Sequence, residues 1–441
     1  MRVDPYGGPR RKTLRRDQRP EFDCIALLLQ GGGALGAYQA GVYQGLAEAN
    51  LHPDWVAGIS IGAVNSALIA GNPPELRLER LRQFWELVTT NPLVGVRREG
   101  RDVQNPSAPP PTTEPVASSA RPATWIDAGA ELWKKLLNAD PWSLGPAQAF
   151  APRGDLARGL ANQMSAGVVT ALGAPGFFSP RRLSPWFEPP GTLEATSYYD
   201  TSAAKATLER LVDFDRINSG ATRFSVGAVN VATGNFVYFD NTTHTIAPEH
   251  VMASGALPPG FPAIEIDGEF YWDGGLVSNT PLQWVLEFGP CQDTLAFQVD
   301  LWSARGAFPR TMVDVQNRQK EIQFSSRTRA NSDQFKKTQR FRNTLSKLLQ
   351  ALPDETRHAT EYAQLIKMAE QKVYNLVQVI YRSESYEGGW KDHEFSRASM
   401  EKHWRSGYND TIRTLRHPEV LKRPANDEGV FTFDLAVNGR E

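Results

Sequence analysis

The chain has 441 residues, of which 41% are hydrophobic and 22% charged, the balance of an ordered globular protein rather than a disordered one. Its 48 basic and 49 acidic residues leave a formal charge of −1, so no global field marks it as a nucleic-acid binder. Two cysteines, Cys24 and Cys291, cannot form a disulfide framework and point to a reducing, cytoplasmic setting, and no Cys/His cluster has structural-zinc spacing.

Residues 1–23 read as a polar arm. Over Met1 to Pro20, Arg2, Arg10, Arg11, Lys12, Arg15, Arg16 and Arg19 outnumber Asp4 and Asp17, which suits a solvated terminus able to touch an anionic surface peripherally. No run approaches the length needed to span a bilayer. Order is expected from Cys24. Ile25-Ala26-Leu27-Leu28-Leu29 is a continuously apolar run, as in a parallel strand buried on both faces. A glycine loop, Gln30 to Gly36, leads into a helix over Ala37 to Asn50, with Tyr38, Val42, Leu46 and Ala49 at helical spacing. Leu51 to Asp54 breaks it and leads into a strand with apolar Val56 and Ile59 before Ser60, followed by a small-residue run that suits another helix. Strand, glycine loop, helix, strand, serine, helix is a right-handed βαβ unit with one helix added.

Glu75 to Thr89 reads as an amphipathic helix. Gly95 to Pro122 is rich in Pro, Arg and Ser and reads as a linker. Between Ala123 and Pro190, Trp125, Trp133, Trp142, Trp186 and Phe177-Phe178 alternate with Gly and Pro. They predict short helices and irregular structure, either lining an apolar pocket or packing as ordinary core. Thr201 to Arg216 is helical in pattern. Arg223 to Asn230 and Asn235 to Phe239 predict a hairpin, His250 to Ala256 a short helix, and Ala263 to Ile266 with Phe270 to Trp272 two further strands ending at Asp273. Thr294 to Trp302 is another apolar strand. Polar helices follow, chiefly Gln316 to Leu349 and Phe395 to Leu415; Val373 to Tyr381 suits strand or helix, and Val430 to Ala436 a last strand.

Three features carry chemistry. Gly58-Ile59-Ser60-Ile61-Gly62 has the form of a nucleophile elbow, a serine on a tight strand-to-helix turn. The loop Gly31-Gly32-Gly33 opens a helix, where backbone N–H groups and the helix dipole suit an oxyanion. Asp273 stands at a strand end before Gly274-Gly275. A serine needs a partner to take its proton, and the seven histidines are poorly placed for that, whereas an aspartate is ionised at neutral pH.

Gly31-Gly32-Gly33-Ala34-Leu35-Gly36, Gly58-Ile59-Ser60-Ile61-Gly62 and Asp273-Gly274-Gly275, in that order, resemble the three motifs of the patatin-like phospholipases. Ala253 to Pro262 is similar to what precedes the family's aspartate. The resemblance covers about Cys24 to Leu301. It implies an α/β/α sandwich with a mostly parallel sheet and a Ser–Asp dyad that hydrolyses lipid acyl esters without cofactor or metal. On it Ser60 is the nucleophile and Asp273 the base, with the oxyanion hole at Gly31, Gly32 and Gly33 and with Gly36, Gly58, Gly62, Gly274 and Gly275 as motif glycines. Leu35 departs from the Arg or Lys that many members carry there. The implied organisation is an arm (1–23), a catalytic domain (24–301) and a mainly helical C-terminal extension (302–441) that resembles a domain of unassigned function in some bacterial members.

Three other readings use the same residues. Gly31-x-Gly33-x-x-Gly36 with Asp54 fits a dinucleotide fingerprint. Ser60, Asp273 and His393 or His403 have the chain order of an α/β-hydrolase triad. The basic arm and the basic helix from Gln316 would suit a non-catalytic scaffold on a membrane. Oligomeric state is left open.

Overall fold

The computed structural model describes residues 19–90, 155–288, 293–325, 328–351, 365–366, 369, 372–384, 387–426 and 428–435. The N-terminal arm up to residue 18, the Pro-rich stretch and Trp125, Trp133 and Trp142 lie outside them.

The first βαβ unit forms as its pattern predicts: β1 (Cys24–Leu29), α1 (Ala37–Glu48), β2 (Trp55–Gly58), α2 (Ile61–Ala70) and α3 (Pro74–Val88). All six residues of β1 are buried. Ile25, Leu27 and Leu29 join one core with α1, α2 and α3, while Cys24, Ala26 and Leu28 join a second core with Leu282, Val285 and Phe335 from helices on the opposite face. The architecture is therefore a three-layer α/β/α sandwich, and a strand covered on both sides has no polar face to show.

After a two-residue pair, β3 (Ser179–Pro180) and β4 (Tyr199–Asp200), the remaining strands are β5 (Arg223–Asn230), β6 (Phe236–Asp240), β7 (Ile264–Ile266), β8 (Glu269–Asp273), β9 (Thr294–Asp300), β10 (Tyr374–Ile380) and β11 (Val430–Phe433). The main sheet runs β11-β10-β9-β1-β2-β5-β8-β7, with β6 also paired to β5. From β11 to β5 every pair is parallel; β6, β8 and β7 are antiparallel additions.

The C-terminal region is rich in helix and also adds to the sheet, where β10 pairs with β9 over seven residues and β11 lies beyond it. The ambiguous run Val373 to Tyr381 is a strand because it borders β9. The helix Arg397–Leu415 crosses α1 with the two backbones in contact. A Cβ on Gly41 would lie 1.9 Å from the Trp404 carbonyl oxygen, and one on Gly407 would lie 2.0 Å from that of Tyr38. Other differences are local. Asp155–Leu172 is one long helix, Thr201 to Arg216 is split where Asp213 caps a new helix through the Arg216 amide (2.9 Å), and Gln316 to Leu349 divides into Met312–Phe324 and Thr328–Gln350.

Candidate active site

Ser60 occupies the turn between β2 and α2 with φ 55° and ψ −124°, a conformation that non-glycine residues rarely adopt. The Gly62 amide closes the turn on the Ile59 carbonyl (2.8 Å), and a Cβ on Gly62 would meet the Leu29 carbonyl oxygen at 2.2 Å. Gly58 ends β2 against the same turn.

Asp273 ends β8, opposite Ala228 of β5, while Gly58 of β2 is opposite Val226. Two residues beyond Gly58, Ser60 therefore stands level with Asp273 across the end of β5. The carboxylate is 2% exposed and accepts a hydrogen bond from the Gly275 amide at 2.7 Å. Burial pushes its pKa up to about 7, against hydrogen bonds from the Ser60 hydroxyl and Gly275 that favour the charged form. Gly274 and Gly275 form the turn that follows.

The glycine loop passes directly beside the serine. A Cβ on Gly31 would lie 3.0 Å from Ser60 Cβ and 2.4 Å from Asn279 Oδ1. The Gly31 amide donates to the Asn279 carbonyl (3.3 Å), its carbonyl accepts from Asn279 Nδ2 (3.1 Å) and Trp302 Nε1 (3.0 Å), and Ala34 donates to the Asp392 carbonyl (3.0 Å). Among the described residues, the amides of Gly32 and Gly33 meet no protein acceptor. Gly33 has φ 55° and abuts the Asp392 carbonyl, so no side chain fits. Gly36 seats the start of α1 on Ile61 and Trp85.

Ser60, Asp273 and Gly31 to Gly33 open into one cavity of 340 Å³, in the range of small-molecule sites. Its far wall is apolar. Phe177, Phe178, Tyr199, Phe261 and Phe395 form an aromatic cluster, with ring centroids 5.0 Å apart for Phe178–Tyr199 and 5.2 Å for Phe178–Phe261. Among the described residues, no group of His, Cys, Asp or Glu has the arrangement of a metal site.

A family model described as Patatin-like phospholipase matches residues 27–285, and a second, described as Patatin phospholipase, matches 322–427. The chain belongs to the patatin-like phospholipase family. It is a hydrolase on that membership. A search of solved structures finds VipD from Legionella pneumophila at 15% identity and a TM-score of 0.34, covering 95% of this chain and 72% of that one. No curated protein matches.

Within this patatin-like chain the rival motifs meet physical obstacles. The helix terminus that a dinucleotide pyrophosphate would occupy is capped by the Asp392 carbonyl. Asp54, the would-be ribose acid, lies before β2 at the opposite sheet edge, paired with Arg19 and accepting from the Ile25 amide (2.7 Å). His403 is 2% exposed, 3.8 Å from Glu387 and outside the cavity lining. His393 does line the cavity, and its Nδ1 lies 3.0 Å from Asp392 Oδ1.

Several lining residues carry no sequence signal. Asn279, Trp302, Phe324 and Asp392 reach the loop only through tertiary packing. Of the aromatic segment before Pro190, Phe177 and Phe178 line the cavity, whereas Trp186 is 83% exposed. Leu35 is fully buried.

Proposed function

We propose that this patatin-like protein hydrolyses lipid carboxylic esters through a Ser60–Asp273 dyad and an acyl-enzyme. The observation that carries the reading is the hydrogen bond of Ser60 to a buried carboxylate at the head of an apolar cavity. The ester's acyl chain lies along the aromatic wall. Ser60 Oγ attacks the carbonyl carbon and its proton passes to Asp273. The oxyanion is held by the Gly32 and Gly33 amides, the Gly31 amide being engaged by Asn279. Collapse breaks the ester bond and Asp273 returns the proton to the departing alkoxide, leaving the acyl group on Ser60. Water, deprotonated by the same carboxylate, then attacks the acyl carbonyl carbon; the bond to Ser60 Oγ breaks, Asp273 returns the proton to Oγ, and the fatty acid departs. A base whose pKa lies near neutrality suits this two-way traffic.

Labelling by a fluorophosphonate probe tests the nucleophile, with capture at Ser60 expected. Ser60→Ala and Asp273→Asn should each lower p-nitrophenyl ester hydrolysis by at least about 10³-fold while the fold persists. Near-full activity in either variant would falsify the dyad. One observation favours a second reading, in which His393 is the base: it lines the same cavity in contact with Asp392. Under the dyad His393→Ala keeps turning over small esters; loss as deep as that of Ser60→Ala decides for the histidine.

A further inference from the structure

The glycine loop is gripped from the C-terminal region at two points. At its near end, the Phe324 carbonyl accepts from Gln30 Nε2 (3.2 Å) and from Asn279 Nδ2 (2.8 Å), the side chain that also donates to Gly31. At its far end, the Asp392 carbonyl accepts from Ala34 and touches Gly33. The two grips are linked. Lys320, one turn before Phe324 on the helix Met312–Phe324, places Nζ 3.1 Å from each Asp392 carboxylate oxygen and 3.0 Å from the Gly389 carbonyl. We propose that the Lys320–Asp392 ion pair is a positioning device that holds the Gly32 and Gly33 amides in register with Ser60.

The proposal rests on the oxyanion role given above to those amides. Its physical basis is the contact between backbones. Gly33 packs against the Asp392 carbonyl with no side chain to cushion it, so a shift of Asp392 moves the loop directly. The Asp392 side chain is only 13% exposed, so its charge needs a partner to stay where it is. Removing Lys320 leaves His393 as the remaining partner in contact and frees the carboxylate to turn toward water, taking its own carbonyl with it. Burial works against ionisation of Asp392, yet His393 and Lys320 hold its carboxyl below the usual range, as expected where the charge is kept by its neighbours. Lys320 is a positioning residue, since it does not line the cavity. Displacements of about 1 Å at a reacting centre cost up to about 10²-fold in rate, which sets the scale of the effect.

The test compares full-length Lys320→Met and Lys320→Arg with wild type in two readouts. Hydrogen exchange over residues 31–36 reports the loop whether or not esters turn over. The rate per fluorophosphonate-titrated Ser60 reports catalysis by folded sites alone. Lys320→Met should speed exchange at Ala34 by about tenfold and lower kcat per titrated site by about 10- to 100-fold with KM within about twofold. Lys320→Arg should recover most of both. Unchanged exchange, or faster exchange with kcat per site intact, overturns the proposal, as does an equal loss in the Arg variant. If Lys320→Met does not fold, Asp392→Asn removes the charge while keeping the carbonyl, and is read in the same way. A wild type that neither labels nor turns over defeats the dyad, while the exchange readout still decides the clamp.

Discussion

The amide of Ser60 donates to both the carbonyl oxygen and Oγ of Ser254, each at 3.1 Å, and Ser254 Oγ donates in turn to the Gly227 carbonyl at 2.6 Å. A residue from the segment before Asp273 thus pins the backbone of the serine in its left-handed conformation. Such strain persists only where surroundings over-determine it.

That strain is measurable with two variants that both lack the hydroxyl. Ser60→Gly removes the Cβ that makes φ 55° costly, whereas Ser60→Ala keeps it. Ser60→Gly should be more stable than Ser60→Ala by about 1 kcal/mol, net of the larger unfolded-state entropy of glycine. Denaturant unfolding of the pair checks it; an Ala variant as stable as Gly would mean the turn is unstrained.

The Asp273 carboxyl at about 7 makes two pH predictions. As base it must be ionised, so kcat/KM should rise with pH through about 7 and fall tenfold per pH unit well below it. A flat profile from pH 5 to 8 would remove Asp273 from the proton transfer.

Stability runs the other way. The folded carboxyl titrates above its unfolded value of 3.8, so the cost of burying its charge is absent below about pH 4, grows between there and about 7, and is complete above that. The displacement corresponds to roughly 4 kcal/mol at most. Asp273→Asn should therefore gain stability relative to wild type as pH is raised from 4 to 8, by a few kcal/mol. Unfolding midpoints at pH 5 and 8 report the difference, and a gap that does not widen with pH would contradict the raised pKa.

Met252 lines the cavity beside the aromatic cluster, and filling it should shorten the acceptable acyl chain. Met252→Trp should cut kcat/KM for p-nitrophenyl dodecanoate at least about tenfold more than for the butyrate. Equal losses on both esters would place the acyl chain elsewhere.

The crossing of α1 and Arg397–Leu415 gives a structural test of the C-terminal region. Gly407→Val puts a branched side chain where a Cβ alone would stand 2.0 Å from the Tyr38 carbonyl oxygen. The helices must separate, at a cost of about 3 kcal/mol or more. Thermal unfolding that stays single and unshifted would mean that this helix is not part of the core.

How much was legible in the sequence varied with distance along the chain. From β1 through α2 the reading holds nearly residue by residue, because a continuous apolar run, glycines and helical spacing act between neighbours. Val373 to Tyr381 could not be resolved that way: a short, mostly apolar run suits either state, and only β9 alongside makes it a strand. The packing of the C-terminal region was hidden for a related reason. Nothing near Gly407 in the sequence shows that its helix meets α1 at Gly41 with the two backbones in contact.

By itself the sequence determined the βαβ frame, the glycine turn that carries Ser60 and a set of motifs shared with the patatin-like family, since each depends on residues close together in the chain. Tertiary structure alone decided that Asp273 meets Ser60 across the end of β5 with its pKa near 7, and that Asp392 and Phe324 hold the glycine loop. Desolvation and backbone contact are sums over atoms far apart in sequence, and no local pattern of residues contains them.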